Sequence, residues 1–195
     1  MRARKKTTIL DDYKMANDEK RVRIILDNYP GFMTFVNAYE FGLVDTIKAE
    51  RLYNRRAAIG DTGVRVQTSN IGNPTSSEGD EDKLVREAVR AGDYITALRG
   101  ADRYEKHKWE ILTLKDMRET YALVDKQIGT LEDEKELFRR YLRHEFNLAT
   151  IAGSEGVTVE AMKKRFKNAR NDVIDNTLFW LEMKRPYLYL DQKGA

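Results

Sequence analysis

The residues best suited to chemistry lie between 157 and 171, where five basic side chains occur with a single acidic one. The local excess of four positive charges exceeds the formal net charge of +3 that the whole chain of 195 residues carries. Lysine and arginine release counterions from phosphates, and in a groove of DNA glutamate accepts from cytosine while lysine donates to guanine. We therefore predict that eight residues contact duplex DNA: Thr158, Val159, Glu160, Lys163, Lys164, Lys167, Arg170 and Asn171.

The predicted residues have two different expected roles, which depend on their position along the helix. Val159, Glu160, Lys163 and Lys164 fall in the first two turns of a predicted helix and are expected at base edges. The later residues, Lys167, Arg170 and Asn171, are expected at the phosphate backbone, which positions a protein without reading sequence.

The elements that must position these side chains form a predicted helix-turn-helix. A short helix is expected over Asn147–Gly153, and Gly156 can adopt the positive φ angle that the following turn requires. The Thr158 hydroxyl can cap the next helix. Steps of three and four residues give that helix one buried face, which consists of Met162, Phe166, Ala169 and Val173.

This arrangement resembles region 4 of bacterial sigma factors and the C-terminal module of phage late-gene activators of the RinA and ArpU type. The pattern that carries the likeness is Leu148, Ile151-Ala152, Gly156-Val157-Thr158, Met162-Lys163, Arg165-Phe166 and Ala169. The activators are also similar in the Tyr29-Pro30 step and in a polar, glycine-rich loop before the C-terminal helices. The resemblance implies activation of phage genes at promoter DNA, with RNA polymerase as a further candidate partner. Glu155, where such motifs carry an apolar residue, departs from the pattern.

The rest of the chain predicts an all-α protein in four parts. Residues 1–58 form an N-terminal helical segment with a basic arm, and residues 59–82, rich in Gly, Ser, Asn and Thr, form a flexible loop. Connecting helices follow at 83–130, and residues 131–195 hold the helix-turn-helix and an aromatic tail. The tail, which includes Phe179 and Trp180, is expected to pack over the core, with a partner-binding surface as the alternative.

A second apolar pattern alternates steps of three and four residues before the predicted helix-turn-helix. It is typical of a heptad seam, but it covers fewer than three heptads. Two interpretations stay open, a helix packed within its own chain and a seam between two copies. The seam consists of Leu114, Met117, Tyr121, Val124, Ile128 and Leu131.

Several classes of function find no support in the sequence. The chain has no cysteine, and His107 and His144 both have charged neighbours that suggest surface positions. No catalytic motif occurs, and no apolar run is long enough to span a membrane. We therefore predict a cytoplasmic protein that is not an enzyme and has no cofactor, metal site or membrane partner.

Two other functions are compatible with the same helix-turn-helix. A phage small terminase subunit, which packages DNA, also combines this motif with helical oligomerisation segments. A module that docks onto a protein such as RNA polymerase is the other alternative. A homodimer is compatible with the regulatory reading, because paired modules can read half-sites about one helical turn apart.

Overall fold

The structure is a computed structural model that describes residues 8–58 and 74–191, without the side chains of 74–82, 133 and 185–191. In these ranges the chain is helical and contains no strand, which confirms the predicted all-α class. A 3₁₀ turn at Glu132–Glu134 precedes the seventh helix. The helices are α1 (Ile9–Lys14), α2 (Asp18–Asp27), α3 (Tyr29–Ala58), α4 (Pro74–Ala91), α5 (Tyr94–Ala97), α6 (Tyr104–Ile128), α7 (Lys135–Leu142), α8 (Leu148–Ser154) and α9 (Val159–Asp191).

The chain divides into two compact units, and the division falls inside α3 and α6. Unit 1 comprises Met1–Met33 and Glu119–Ala195, and unit 2 comprises Thr34–Arg118. The first two helices therefore belong with the C-terminal helices rather than with the rest of the predicted N-terminal segment. Each unit has its own buried residues.

An aromatic cluster forms part of the core of unit 1. The Phe32 ring stacks on Tyr121 with centroids 5.7 Å apart, and Tyr29 stacks on the same ring at 5.5 Å. The Tyr29 hydroxyl donates a hydrogen bond to Asp125, whose carboxylate also accepts from Arg139. Burial and, to a lesser extent, this hydrogen bond raise the pKa of Tyr29 above its ordinary value of 10.0. The network ties α3, α6 and α7 together within the unit.

Unit 2 contains two buried polar side chains, Glu40 and His107, each of which contacts two partners. Glu40 is almost fully buried and accepts from Arg90 at 2.8 Å and from Arg118. His107 is only 1% exposed, so the prediction that it lies at the surface was wrong, whereas His144 is exposed as expected. In His107, Nδ1 lies 2.7 Å from a Glu110 oxygen and Nε2 lies 3.2 Å from a Glu50 oxygen. Contact with two carboxylates explains how a histidine can be buried among charged neighbours.

The backbone corrects the predicted loop at 59–82. Helix α4 begins at Pro74, so the part of that segment from residue 74 onward is helical, while residues 59–73 lie outside the described residues. Proline suits the first turn of a helix because no intrahelical acceptor is needed for its missing N–H. The glycine and serine residues of this segment therefore do not prevent a helix from residue 74 onward.

The apolar seam on α6 packs inside the chain. Leu114, Met117, Val124 and Ile128 are all buried. This supports the intramolecular interpretation, because residues covered by their own chain cannot form a seam with a second copy.

The aromatic tail continues α9 instead of folding back over the core. The helix runs without a break from Val159 to Asp191. Phe179 and Trp180 are 57% and 45% exposed, so the expectation that they cover the core was wrong. Trp180 does contact Lys126, whose ammonium lies 5.8 Å from the ring centroid. The side chains of the last aromatic residues lie outside the described part of the structure.

Candidate nucleic-acid interface

The short helix α8 is fixed at both ends by local hydrogen bonds. At its start the Asn147 side chain accepts from the backbone N–H of Thr150 at 2.8 Å, which satisfies one of the unpaired donors of the first turn. At its end the N–H of Val157 donates to the Ala152 carbonyl at 3.0 Å, and the N–H of Gly156 donates to the Gly153 carbonyl. These two bonds form a Schellman motif, which ends the helix sharply.

Gly156 makes the turn after α8 feasible. Its φ angle is +65°, in the left-handed region that side-chain-bearing residues rarely adopt. Two residues later the Thr158 hydroxyl accepts from the backbone N–H of Ala161 at 3.2 Å and caps the start of α9. The predicted turn and cap are therefore both present, and α9 begins as a separate helix.

The buried face of α9 matches the sequence pattern. Met162, Phe166, Ala169 and Val173 are all less than 5% exposed. The Phe166 ring lies 4.8 Å from Tyr141 and 5.6 Å from Phe138 of α7, measured between centroids. Ile151 and Ala152 of α8 are buried as well. Since α9 is packed along this side, its orientation in unit 1 is fixed by apolar contacts, and the opposite side faces solvent.

The solvent side of α9 carries most of the predicted contact residues. Steps of three and four along the helix place them together, and no described part of the chain covers them. The exposed members of the predicted set are Thr158, Val159, Glu160, Lys163, Lys164, Lys167 and Asn171. We call Lys163, Lys164 and Lys167 the lysine face.

Arg170 is the predicted contact residue that differs from the others. It is partly buried, and its guanidinium lies 2.6 Å from the Asp27 carboxylate of α2. Arg165, which does not belong to the predicted set, likewise pairs with Glu134 at 2.8 Å. Two of the five basic residues of this segment are thus held in contacts within unit 1, and the lysine face supplies the remaining positive charge.

One further exposed polar residue, Asn168, lies beside the predicted set. Asn168 is exposed and follows Lys164 by four residues, so the two lie next to each other on the helix surface. An asparagine amide can form a bidentate pair with adenine. The signal was present in the sequence as spacing, but the charged neighbours obscured it.

Other kinds of site receive no support from the described residues. Among them, no group of three His, Asp or Glu side chains is arranged to hold a metal ion. None of their helices is long and apolar enough to cross a membrane. Comparison of the chain with protein-family models, curated proteins and solved structures gives no significant match.

Proposed function

We propose that the protein binds duplex DNA through a helix-turn-helix formed by α8 and α9, with α9 in the major groove. The observation that carries this proposal is the lysine face, which is exposed on a helix whose opposite side is anchored to α7 and α8. A recognition helix needs both properties, because side chains reach base edges only if the helix is held rigidly and its outer side is open.

The charges on α9 favour one end of the helix as the contact region. Lys163, Lys164 and Lys167 lie in its first three turns, whereas Asp172 and Asp175 are exposed further along. The carboxylates of Asp172 and Asp175 would repel the DNA phosphates, so the contact region on α9 ends before residue 172. A single groove contact made by residues between Thr158 and Asn171 fits this distribution.

We further propose that the protein is a transcriptional regulator in the cytoplasm of a bacterial host. This rests on the resemblance to sigma factor region 4 and to phage late-gene activators. Selection of bound fragments from random duplex DNA tests it. Enrichment of one sequence motif is expected for a regulator, and uniform retention of all sequences would contradict the regulatory role.

The test of DNA binding itself is the double variant Lys163→Ala with Lys164→Ala. A lysine charge held in the groove replaces counterions of the nearby phosphates even where its ammonium donates to a base edge. Each such charge contributes a slope of about −0.9 to log K against log salt, so the loss of Lys163 and Lys164 should reduce the slope in magnitude by up to about 1.8. At 0.15 M salt the corresponding loss is about 30-fold in affinity. Fluorescence anisotropy with a labelled duplex measures both quantities.

A matched control removes the same charge from other exposed positions. Lys83 lies on α4, and Lys184 lies 21 residues after Lys163 on α9, a distance of about 30 Å along the helix. The variant Lys83→Ala with Lys184→Ala should keep the wild-type slope. Equal effects of the two double variants would contradict the assignment of the lysine face.

A further inference from the structure

The outer surface of α9 reverses its charge along the helix. Residues 157–171 include five basic side chains and one acidic one, whereas residues 172–183 include three acidic side chains and no basic one. The three acidic residues are exposed, and we call Asp172, Asp175 and Glu182 the acidic segment. Because α9 runs without a break, the lysine face and the acidic segment are held one after the other on a single helix.

The charges of both sets are available to another molecule. Within the described part of the chain, no ion pair involves a side chain of the lysine face or of the acidic segment. The two sets do not pair with each other, since Lys167 and Asp172 are five residues apart and a helix brings together residues three or four apart. Arg165 and Arg170, the other basic residues of this region, already form ion pairs within unit 1.

The two sets are joined by one exposed stripe of α9. Steps of three and four residues connect them along the helix surface, and the buried residues of α9 lie on another side. The stripe consists of Lys164, Asn168, Asn171, Asp175, Phe179 and Glu182, all of them exposed. It is about 27 Å long. It therefore has a basic end, a polar middle and an end that is acidic and aromatic.

This order of charges fits a second copy of the same helix. When two identical helices pack antiparallel about a two-fold axis, the beginning of each lies beside the end of the other. The lysine face of each copy then meets the acidic segment of the other, and opposite charges attract at both ends of the contact. The exposed Phe179 ring comes near the same lysines, where a cation–π contact adds to the attraction. A parallel pair would instead place like charges together.

We propose that, in the absence of DNA, two copies of the chain pair antiparallel through this stripe and cover each other's lysine face. A helix contact about 27 Å long and about 10 Å wide buries about 300 Å² per copy, well below the roughly 800 Å² per partner of a stable interface. The pair is therefore weak, and DNA competes with it for the same lysines. This competition, unlike the pairing itself, rests on the proposed function.

Sedimentation equilibrium of the full chain without DNA measures the pairing. The variant Asp172→Asn with Asp175→Asn removes contacts at both ends of the two-fold pair and should raise the dimer dissociation constant about fivefold or more. Asp12→Asn with Glu136→Gln is the matched control, since both residues are exposed in unit 1 and lie outside α9. It should keep the wild-type value. A wild-type chain that stays monomeric, or equal effects of the two double variants, overturns the proposal.

Charge reversal tests the antiparallel arrangement directly. Lys164→Glu with Lys167→Glu leaves only acidic charges on the stripe, and Asp172→Lys with Asp175→Lys makes the stripe predominantly basic. Each variant alone should be monomeric, because like charges then face each other, whereas an equimolar mixture of the two should associate. The proposal is overturned if the mixture does not associate or if either variant alone pairs as tightly as wild type.

Duplex DNA separates a failure of this inference from a failure of DNA binding. With duplex in excess over the wild-type chain, the pair should disappear as each copy binds its own duplex. A pair that persists in complex with the duplex overturns the competition. A duplex that does not bind at all contradicts the proposed function instead, and the measurements without DNA then decide the pairing by themselves.

Discussion

Two glycines three residues apart provide the sharpest test of how α9 is positioned. Gly153 lies inside α8, and Gly156 lies in the turn before α9. Beyond the local backbone, a Cβ atom added at either residue would have no atom within 4 Å, so neither substitution to alanine causes a steric clash with surrounding groups. The two positions differ in the backbone, because only Gly156 has a positive φ angle.

The expected changes in stability therefore have opposite signs. Gly156→Ala forces an alanine into the left-handed region, which costs about 1–2 kcal/mol. Gly153→Ala replaces glycine near the end of a helix and should stabilise the protein by about 0.5 kcal/mol, since alanine loses less backbone entropy on folding. The free energies of unfolding of the two variants should differ by about 1.5–2.5 kcal/mol.

Trp180 offers a probe that is specific to unit 1. The chain has two tryptophans, and Trp109 lies in unit 2. Urea unfolding followed by Trp180 emission in a Trp109→Phe background therefore reports on the unit that contains α8 and α9. If Gly156→Ala were as stable as the parent, or if Gly153→Ala were equally destabilising, the argument that the φ angle sets the turn would be refuted.

Two further predictions concern contacts within unit 1. Asp27→Asn should release Arg170 and tighten duplex binding by up to about fivefold at 0.15 M salt; unchanged affinity and salt slope would show that Arg170 does not reach phosphate. The raised pKa of Tyr29 stabilises the fold fully below pH 10, and this contribution is lost as the pH rises towards the folded pKa. The difference in unfolding free energy between wild type and Tyr29→Phe should therefore shrink above pH 10, and a constant difference between pH 8 and 11 would contradict this.

The sequence predicted the local architecture around α8 and α9 well. Helical periodicity identified the buried positions Met162, Phe166 and Val173, because one face of a packed helix must be apolar throughout. Gly156 and Thr158 could be assigned since their conformational and capping roles depend on residue type alone. These are features in which the local sequence determines the local structure.

Contacts between residues that are far apart in the sequence could not be predicted from the sequence alone. Arg170 and Asp27 are 143 positions apart, and nothing in the charge pattern of either segment marks them as partners. Burial of His107 depends on Glu50, 57 positions away, which turns an apparent surface residue into an internal one.

The unbroken course of α9 has a mechanical consequence. Its 33 residues extend about 50 Å, with the lysine face near one end and the exposed Phe179, Trp180 and Met183 near the other. Intrahelical hydrogen bonds join the two regions into one continuous helix. If the first turns tilt in the proposed DNA complex, the aromatic end is therefore displaced by a larger distance than the lysine face. In the proposed complex, resonance energy transfer from Trp180 to a dye on the duplex, measured in the Trp109→Phe background, would therefore report the angle between the helix and the groove.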